Sequence, residues 1–324
     1  MTIRFRTKLL AAALAALPLA AAAQEYPNRP IRLIVGFTAG GISDVLGRAL
    51  AAKMSSTIGQ SVVVENKPGA GTTIAADFTV KSPADGYTLF LQDITSHAIN
   101  ASLYPKLPYD SIKDFTPVAL VASTPLMLVV HPSTPVKNVK DLVGYLKSRP
   151  VASSYGSSGN GTILHLTSEM FNQAAGNLKI QHIPYKGSGP ATQAIMASEV
   201  SYVFSTMPPA IGAVKAGKLR ALAVTTPKRV GAAPDVPTMV EAGMPGFESV
   251  LYSGVLAPPN LPRALVTRIN AEFAKVVAAD DIKTVYASIG ADPIIAPPEE
   301  LGALMAREIA KLAPVVKASG ARVE

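Results

Sequence analysis

Twice in this 324-residue chain a strand-like apolar run ends in glycine and small hydroxyl residues: IVGFTAGGISD, ending at Asp44, and SYGSSGNGTILH, Ser154 to His165. Such a turn, feeding a helix, can carry a serine nucleophile, cradle a phosphate or seat another anion. A nucleophile elbow needs G-x-S-x-G. Gly156 and Ser158 fit, but Asn160 stands where the last glycine belongs, and His165 lies seven residues on along the following helix rather than on a loop facing the hydroxyl. KPGAGTTIAAD, with Asp93 22 residues after Gly71, mimics a dinucleotide fingerprint, yet Ile74 replaces its third glycine. Neither strand-end turn continues into Gly-Lys-Ser/Thr. His97, His131, His165 and His182 are far apart and lack H-x-x-x-H or H-x-E spacing, so no metal site is expected. What remains is anion binding by free backbone N–H groups at two helix N-termini, a chemistry that calls for no cofactor.

The elements that position these turns alternate. IRLIV, VVVEN and TLFLQD read as strands, and Ile42, Val45, Leu46, Ala49 and Leu50 recur at helical spacing before a stop at Gly59. VASSYG, KIQHI, VSYVFS and LRALAV repeat the pattern, with helices near Ile163 to Ala175, Pro190 to Ser198 and Pro208 to Ala216. This is an α/β chain with largely parallel sheets. Extended apolar segments near VALVASTPLMLVVHP, and between LRALAVTTPKR and SVLYSGVLAP, interrupt the alternation, which predicts two lobes and two hinge crossings: residues 24–122 plus 227–324, and residues 123–226. Ligands of open α/β sheets bind beyond the carboxyl ends of the strands, so the two turns are expected to face each other across one cleft. After Pro262 the chain is mostly helical, with a stripe of Leu301, Leu304, Met305, Ile309 and Leu312 that should cover the first lobe.

Residues 1–23 have the form of a secretory signal peptide: Arg4, Arg6 and Lys8, an apolar run from Leu9 to about Leu19, then Ala21 to Ala23. Removing those three bases lowers the formal net charge from +8 to +5. The remaining bases are scattered and the chain has no Trp, which argues against nucleic acid. With no cysteine, disulfides, thiolate metal ligands and a cysteine nucleophile are all excluded. About 300 mature residues are enough for two ordinary cores.

The chain resembles the extracytoplasmic solute-binding proteins of tripartite tricarboxylate transporters, the Bug-type receptors. YPNRPIRLIV, AGGISD, VVVENKPGAGTTIAA, SPADGYTL, FTPVALVAS, SSGNGT, HIPYKGSGPA, AGKLRALAVTT, DVPTMVEAGMPGF and LAPPNLP carry the resemblance in order along nearly the whole length. It implies a type II periplasmic binding protein fold, two α/β lobes closing on a small carboxylate-bearing ligand. It also implies a periplasmic location, no enzymatic activity, and delivery to a permease of one small and one large subunit, with a sensor protein as the alternative partner. First-lobe contacts would be Phe37, Thr38, Ala39, Gly40, Gly41 and Asp44, with Thr95, Ser96 and His97. Second-lobe contacts would be Ser157, Ser158, Gly159, Asn160, Gly161 and Thr162, with His165 behind them and Tyr185, Lys186 and Gly187 at the next turn. In VFSTMPPA many members have Asp after the Phe where this chain has Ser205, so Ser205 is expected to bear on ligand choice.

Overall fold

A computed structural model describes residues 26–319 and 321; the expected signal peptide lies outside them. Strand alternation builds the first lobe. In β1 (Ile31–Val35), Ile31, Leu33 and Val35 enter one hydrophobic cluster and Ile34 another on the opposite face; β3 (Thr88–Asp93) repeats this with Leu89 and Leu91 against Phe90. A strand with side chains alternating between two apolar layers is covered on both faces. Between them in the chain, α1 (Ile42–Ile58) buries Leu46, Leu50 and Met54 and ends at Gly59 in the left-handed conformation that suits glycine. β2 (Val62–Asn66) pairs with β1 in parallel, as does β3. Helices α2 (Thr73–Val80) and α3 (Ile94–Leu103) complete this part.

The 15-residue strand β4 (Thr116–Val130) then joins both lobes. Helix α4 (Val139–Ser148) leads into a second parallel set, β5 (Ser154–Ser157), β6 (Gln181–Pro184) and β7 (Tyr202–Thr206), with α5 (Ile163–Ala174), α6 (Ser188–Met196) and α7 (Met207–Lys215) following the strands. The chain continues through β8 (Arg220–Val224), β9 (Val250–Ala257), α8 (Arg263–Ala278), α9 (Asp280–Ser288), the short β10 (Asp292–Pro293) and α10 (Pro298–Ser319).

Pairing partners show how the lobes connect. Thr116 to Pro125 of β4 lie antiparallel to β9, which itself lies antiparallel to β3, whereas Leu126 to Val129 lie antiparallel to β7 and Met127 to Val130 to β8. The first sheet thus runs β2-β1-β3-β9-β4 and the second β8-β4-β7-β5-β6. Each lobe is a three-stranded parallel set extended, on the side where the chain crosses, by antiparallel strands. The return crossing passes Thr225, whose N–H donates to Leu126 O at 3.0 Å, and reaches β9 where Val250 faces Pro125.

The first half of α10 covers the first lobe as its apolar stripe predicts, with Leu301, Leu304 and Met305 packed in the cluster of Ile34, Phe90 and Leu256. Its second half does more: Leu312 and Val315 share a crevice with Ile163, Leu166 and Met170 of α5. Twenty-two helical residues at about 1.5 Å each are long enough to span both lobes.

Candidate functional site

The lobes meet where the strand-end turns were expected to face each other. Thr38 N–H donates to Lys186 O at 3.3 Å, and Ile163 N–H, at the start of α5, donates to Ser96 Oγ at 2.9 Å. Two glycines permit the approach. A Cβ on Gly71, which has φ 59°, would sit 2.2 Å from Asn160 O, and one on Gly161, with φ 75°, 2.2 Å from Asn100 Oδ1. Both lie in the left-handed region and both face a polar oxygen of the opposite lobe, so no other side chain fits. The KPGAGTT turn that mimicked a nucleotide fingerprint is therefore part of the lobe-to-lobe contact.

Between the lobes, beside a groove of about 300 Å³, is a narrow compartment with a cavity volume of about 10 Å³, room for about one water as the lobes stand. Phe37, Gly41, Ile42 and Ser43 line it from the first turn and α1, Asp93 and Leu251 from β3 and β9, and Ser158, Leu164, Ser188 and Thr206 from the second lobe. An outer groove shares Phe37 and Ser158 with it and is lined further by Gly69 to Thr72, Tyr104, Gly159, Asn160, Tyr185 and Lys186.

Its polarity comes from helix ends. The compartment wall includes Gly41, the N-cap of α1, Thr206, the N-cap of α7, and Ser188, first residue of α6; Leu164 belongs to the first turn of α5. None of the N-caps Gly41, Thr162, Gly187 and Thr206 closes its helix with a side-chain hydrogen bond. Thr162 Oγ1 donates instead to Gly159 O at 2.8 Å. The positive ends of four helix dipoles therefore meet at one small space, with first-turn N–H groups of α1 and α6 beside them; Ile163 N–H of α5 is taken by Ser96 Oγ, and Pro208 and Pro209 leave α7 with few to offer. Ser43 Oγ is buried there without a hydrogen-bond partner, as is Thr38 Oγ1 nearby, and a buried hydroxyl in that condition awaits one.

The first turn is held by Asp44, which is not itself in the compartment wall. Its carboxylate accepts from Gly40 N–H at 3.0 Å and from Asn66 Nδ2 at 3.0 Å, and pairs with Arg48 at 2.9 Å. Burial pushes its pKa up, but the bonds from Arg48, Gly40 and Asn66 outweigh it and hold the group below the usual carboxylate range. Asn66 Nδ2 also donates to Phe37 O at 2.9 Å, fixing the loop that carries Phe37 to Gly41.

Several expected contacts serve other purposes. Thr95 Oγ1 donates to Val250 O at 3.1 Å and lines the crevice under α10. His97 is buried between Tyr109 and Phe115 with Nε2 2.8 Å from Ser111 O, and burial lowers its pKa to about 4. His165 accepts from Gly161 N–H at 3.3 Å and stacks on His182, supporting the turn from behind. Ser157 Oγ lies 2.6 Å from His182 Nε2, and Gly159 N–H donates to it at 3.1 Å. The serine that meets a histidine is thus Ser157, which has no exposed surface, and not Ser158 in the wall. That arrangement offers no accessible nucleophile.

Ser205 is displaced from its expected role by strand alternation. It is fully buried, and its hydroxyl pairs with Thr192 Oγ1 of α6 at 2.7 Å and donates to Thr206 O at 3.0 Å. The residue that reaches the wall is its neighbour Thr206. Sequence reasoning also missed Ser43, Asp93 and Ser188. Thr206 had a local signal, since a threonine just before Met-Pro-Pro marks a helix start. Asp93 is the N-cap of α3: it accepts from Ser96 N–H at 3.0 Å and from the Ser96 hydroxyl.

A two-lobed α/β chain with uncapped helix ends around an interlobe compartment is a solute-binding protein, not an enzyme. It belongs to the tripartite tricarboxylate transporter family of receptors: residues 46–321 match the family described as "Tripartite tricarboxylate transporter family receptor". Protein BugT of Bordetella pertussis is 36% identical over 303 residues, 93% of each chain. Among solved structures, a Rhodopseudomonas palustris protein with adipate is 37% identical with a TM-score of 0.89, over 92% of this chain and 100% of that one. MatC from the same organism, with bound malate, is 31% identical with a TM-score of 0.84, over 90% and 100%. Among the described residues no helix is long and apolar enough to cross a membrane.

Proposed function

We propose that this receptor, exported to the periplasm by residues 1–23, binds a small organic carboxylate in the interlobe compartment and delivers it to a membrane permease of one small and one large subunit. The carboxylate sits against first-turn N–H groups of α1 and α6, aided by the dipoles of α5 and α7, with Ser43 and Ser158 as hydroxyl partners. Residues 24–122 plus 227–324 and residues 123–226 act as the two rigid bodies of a hinge that shuts on it. The meeting of helix N-termini with the buried, unpartnered Ser43 Oγ in one interlobe wall supports this reading. The adipate and malate seen in two relatives agree with it. Hydrogen bonds to a charged group contribute about 1.5 to 3 kcal/mol each, so a handful supports the roughly 8 kcal/mol of micromolar binding.

A calorimetric and thermal-shift screen of organic acids tests it. A ligand at about 100 times its Kd stabilises the folded state by about 2.7 kcal/mol, a readily measured shift. A panel of carboxylates with no binder at millimolar concentration would sink the proposal, and solution scattering that fails to contract on adding a confirmed binder would remove the hinge.

A further inference from the structure

The compartment that seats the carboxylate is unusual in its charge. Four of its wall residues, Phe37, Ile42, Leu164 and Leu251, are apolar, and neither Lys nor Arg is among the rest. The ionisable wall residue is Asp93, 1% exposed. Its carboxylate is held on the first lobe by the N–H groups of Ser96 and Thr95 and by the Ser96 hydroxyl. Among the described residues no cation pairs with it, and burial raises its pKa to about 6. The two N–H groups and the hydroxyl that point at it favour its ionised form. Lys186 lines the adjoining groove instead, and it is exposed.

We propose that Asp93 makes the deep compartment selective for a ligand with one carboxylate and an apolar body, by excluding a second carboxylate from the same space. The inference rests on the carboxylate-receptor reading above. The converging helix ends neutralise one anion, and the four apolar side chains reward a hydrocarbon or ring placed against them. A second carboxylate of a short diacid meets those apolar groups and the Asp93 charge in a water-poor site, where like charges repel most strongly. Such exclusion is specificity by an introduced repulsion rather than by an added contact.

Matched acids compare the two cases: butyrate against succinate, propionate against malonate, with isovalerate and benzoate as fuller apolar bodies. Affinities are measured by calorimetry at pH 7.5 on the mature full-length protein. The monoacid of each pair should bind at least tenfold more tightly than its diacid. Asp93→Asn keeps a good helix N-cap of the same size and removes the charge, since Asn and Asp cap about equally well. It should cut the diacid-to-monoacid ratio of Kd at least tenfold, with the melting temperature confirming folding. A wild-type preference for short diacids, or an unchanged ratio in folded Asp93→Asn, overturns the proposal and leaves the receptor reading standing. Absence of binding by any acid overturns both.

Discussion

Ser96 of the first lobe caps a helix of the second. Its Oγ accepts the N–H of Ile163, the first residue of α5, at 2.9 Å, while its own O–H goes to Asp93. Thr162, the local N-cap, spends its hydroxyl on Gly159 O, so the cap is supplied from across the cleft. Parting the lobes leaves that donor without its protein partner. On the proposed hinge motion, the bond would belong to the closed form alone.

Ser96→Ala should therefore weaken ligand binding more than folding. Loss of an N-cap hydroxyl costs about 1 to 2 kcal/mol, which corresponds to roughly 5- to 30-fold in Kd if it falls on closure. Calorimetry with an identified ligand reads the affinity, and the ligand-free melting temperature reads the fold. A ligand-free melting point that drops while affinity stays put would show that the bond supports the lobe rather than the closure.

Gly71→Ala places a methyl group where Asn160 O now stands, in a left-handed backbone that costs a non-glycine residue about 1 to 2 kcal/mol. On the proposed hinge motion, the clash would exist only between closed lobes. Affinity is expected to fall by more than tenfold, and solution scattering with ligand should show a larger radius of gyration than the wild type.

Acid should unfold the protein through its histidines. Burial lowers the pKa of His97 and His165 to about 4 and, with the charge of His165, that of His182 to about 3, all from 6.5. Between pH 6.5 and about 3 to 4 the unfolded chain binds more protons at these sites than the folded one, so stability falls as pH falls through that window. Asp93 acts in the opposite sense, its raised pKa adding stability as pH drops from about 6 towards 4. Glu169, raised by burial, acts with Asp93, whereas Asp44 and Glu65, held low by their partners, lose stabilisation in acid as the histidines do, and the balance lies with the losses. Denaturant titrations at pH 7, 6, 5 and 4 should show a steadily lower midpoint, and a variant with His97→Phe should flatten the decline.

Ser205→Asp is expected to damage the fold rather than retune the ligand. The new carboxylate would be buried between β7 and α6 beside Thr192, with no cation in the hydrogen-bond set of Ser205. Unpaired buried charges cost several kcal/mol. The melting temperature should fall sharply; a folded variant with a changed ligand profile would restore Ser205 to the site.

Much of this architecture was legible because its signals are local. Strand-end glycines, period-two apolar runs and the Gly59 stop all lie within a few residues of what they specify, so the parallel sets and both strand-end turns could be read directly. The wall of the compartment was read less well, since Asp93 and Ser188 gain their roles from opposite lobes that only the tertiary fold brings together. Ser205 and Thr206 differ for a simpler reason. Adjacent residues on a strand point to opposite faces, and with Val203 buried against α6 the alternation already assigned Ser205 to that face. His182 likewise looked isolated because the serine it meets lies 25 residues earlier on the neighbouring strand.

The sheet order has a bearing on how the molecule is assembled. In the first lobe β9 lies between β3 and β4, although it follows β4 by more than a hundred residues. A chain emerging N-terminus first presents β1, β2 and β3 early but leaves a gap beside β3 until Val250 to Ala257 arrive. The second lobe lacks that delay, since all its strands lie between Leu126 and Val224. The contiguous lobe can form while its companion waits, and the last long strand made becomes an interior one, sealing an open edge that would otherwise invite aggregation.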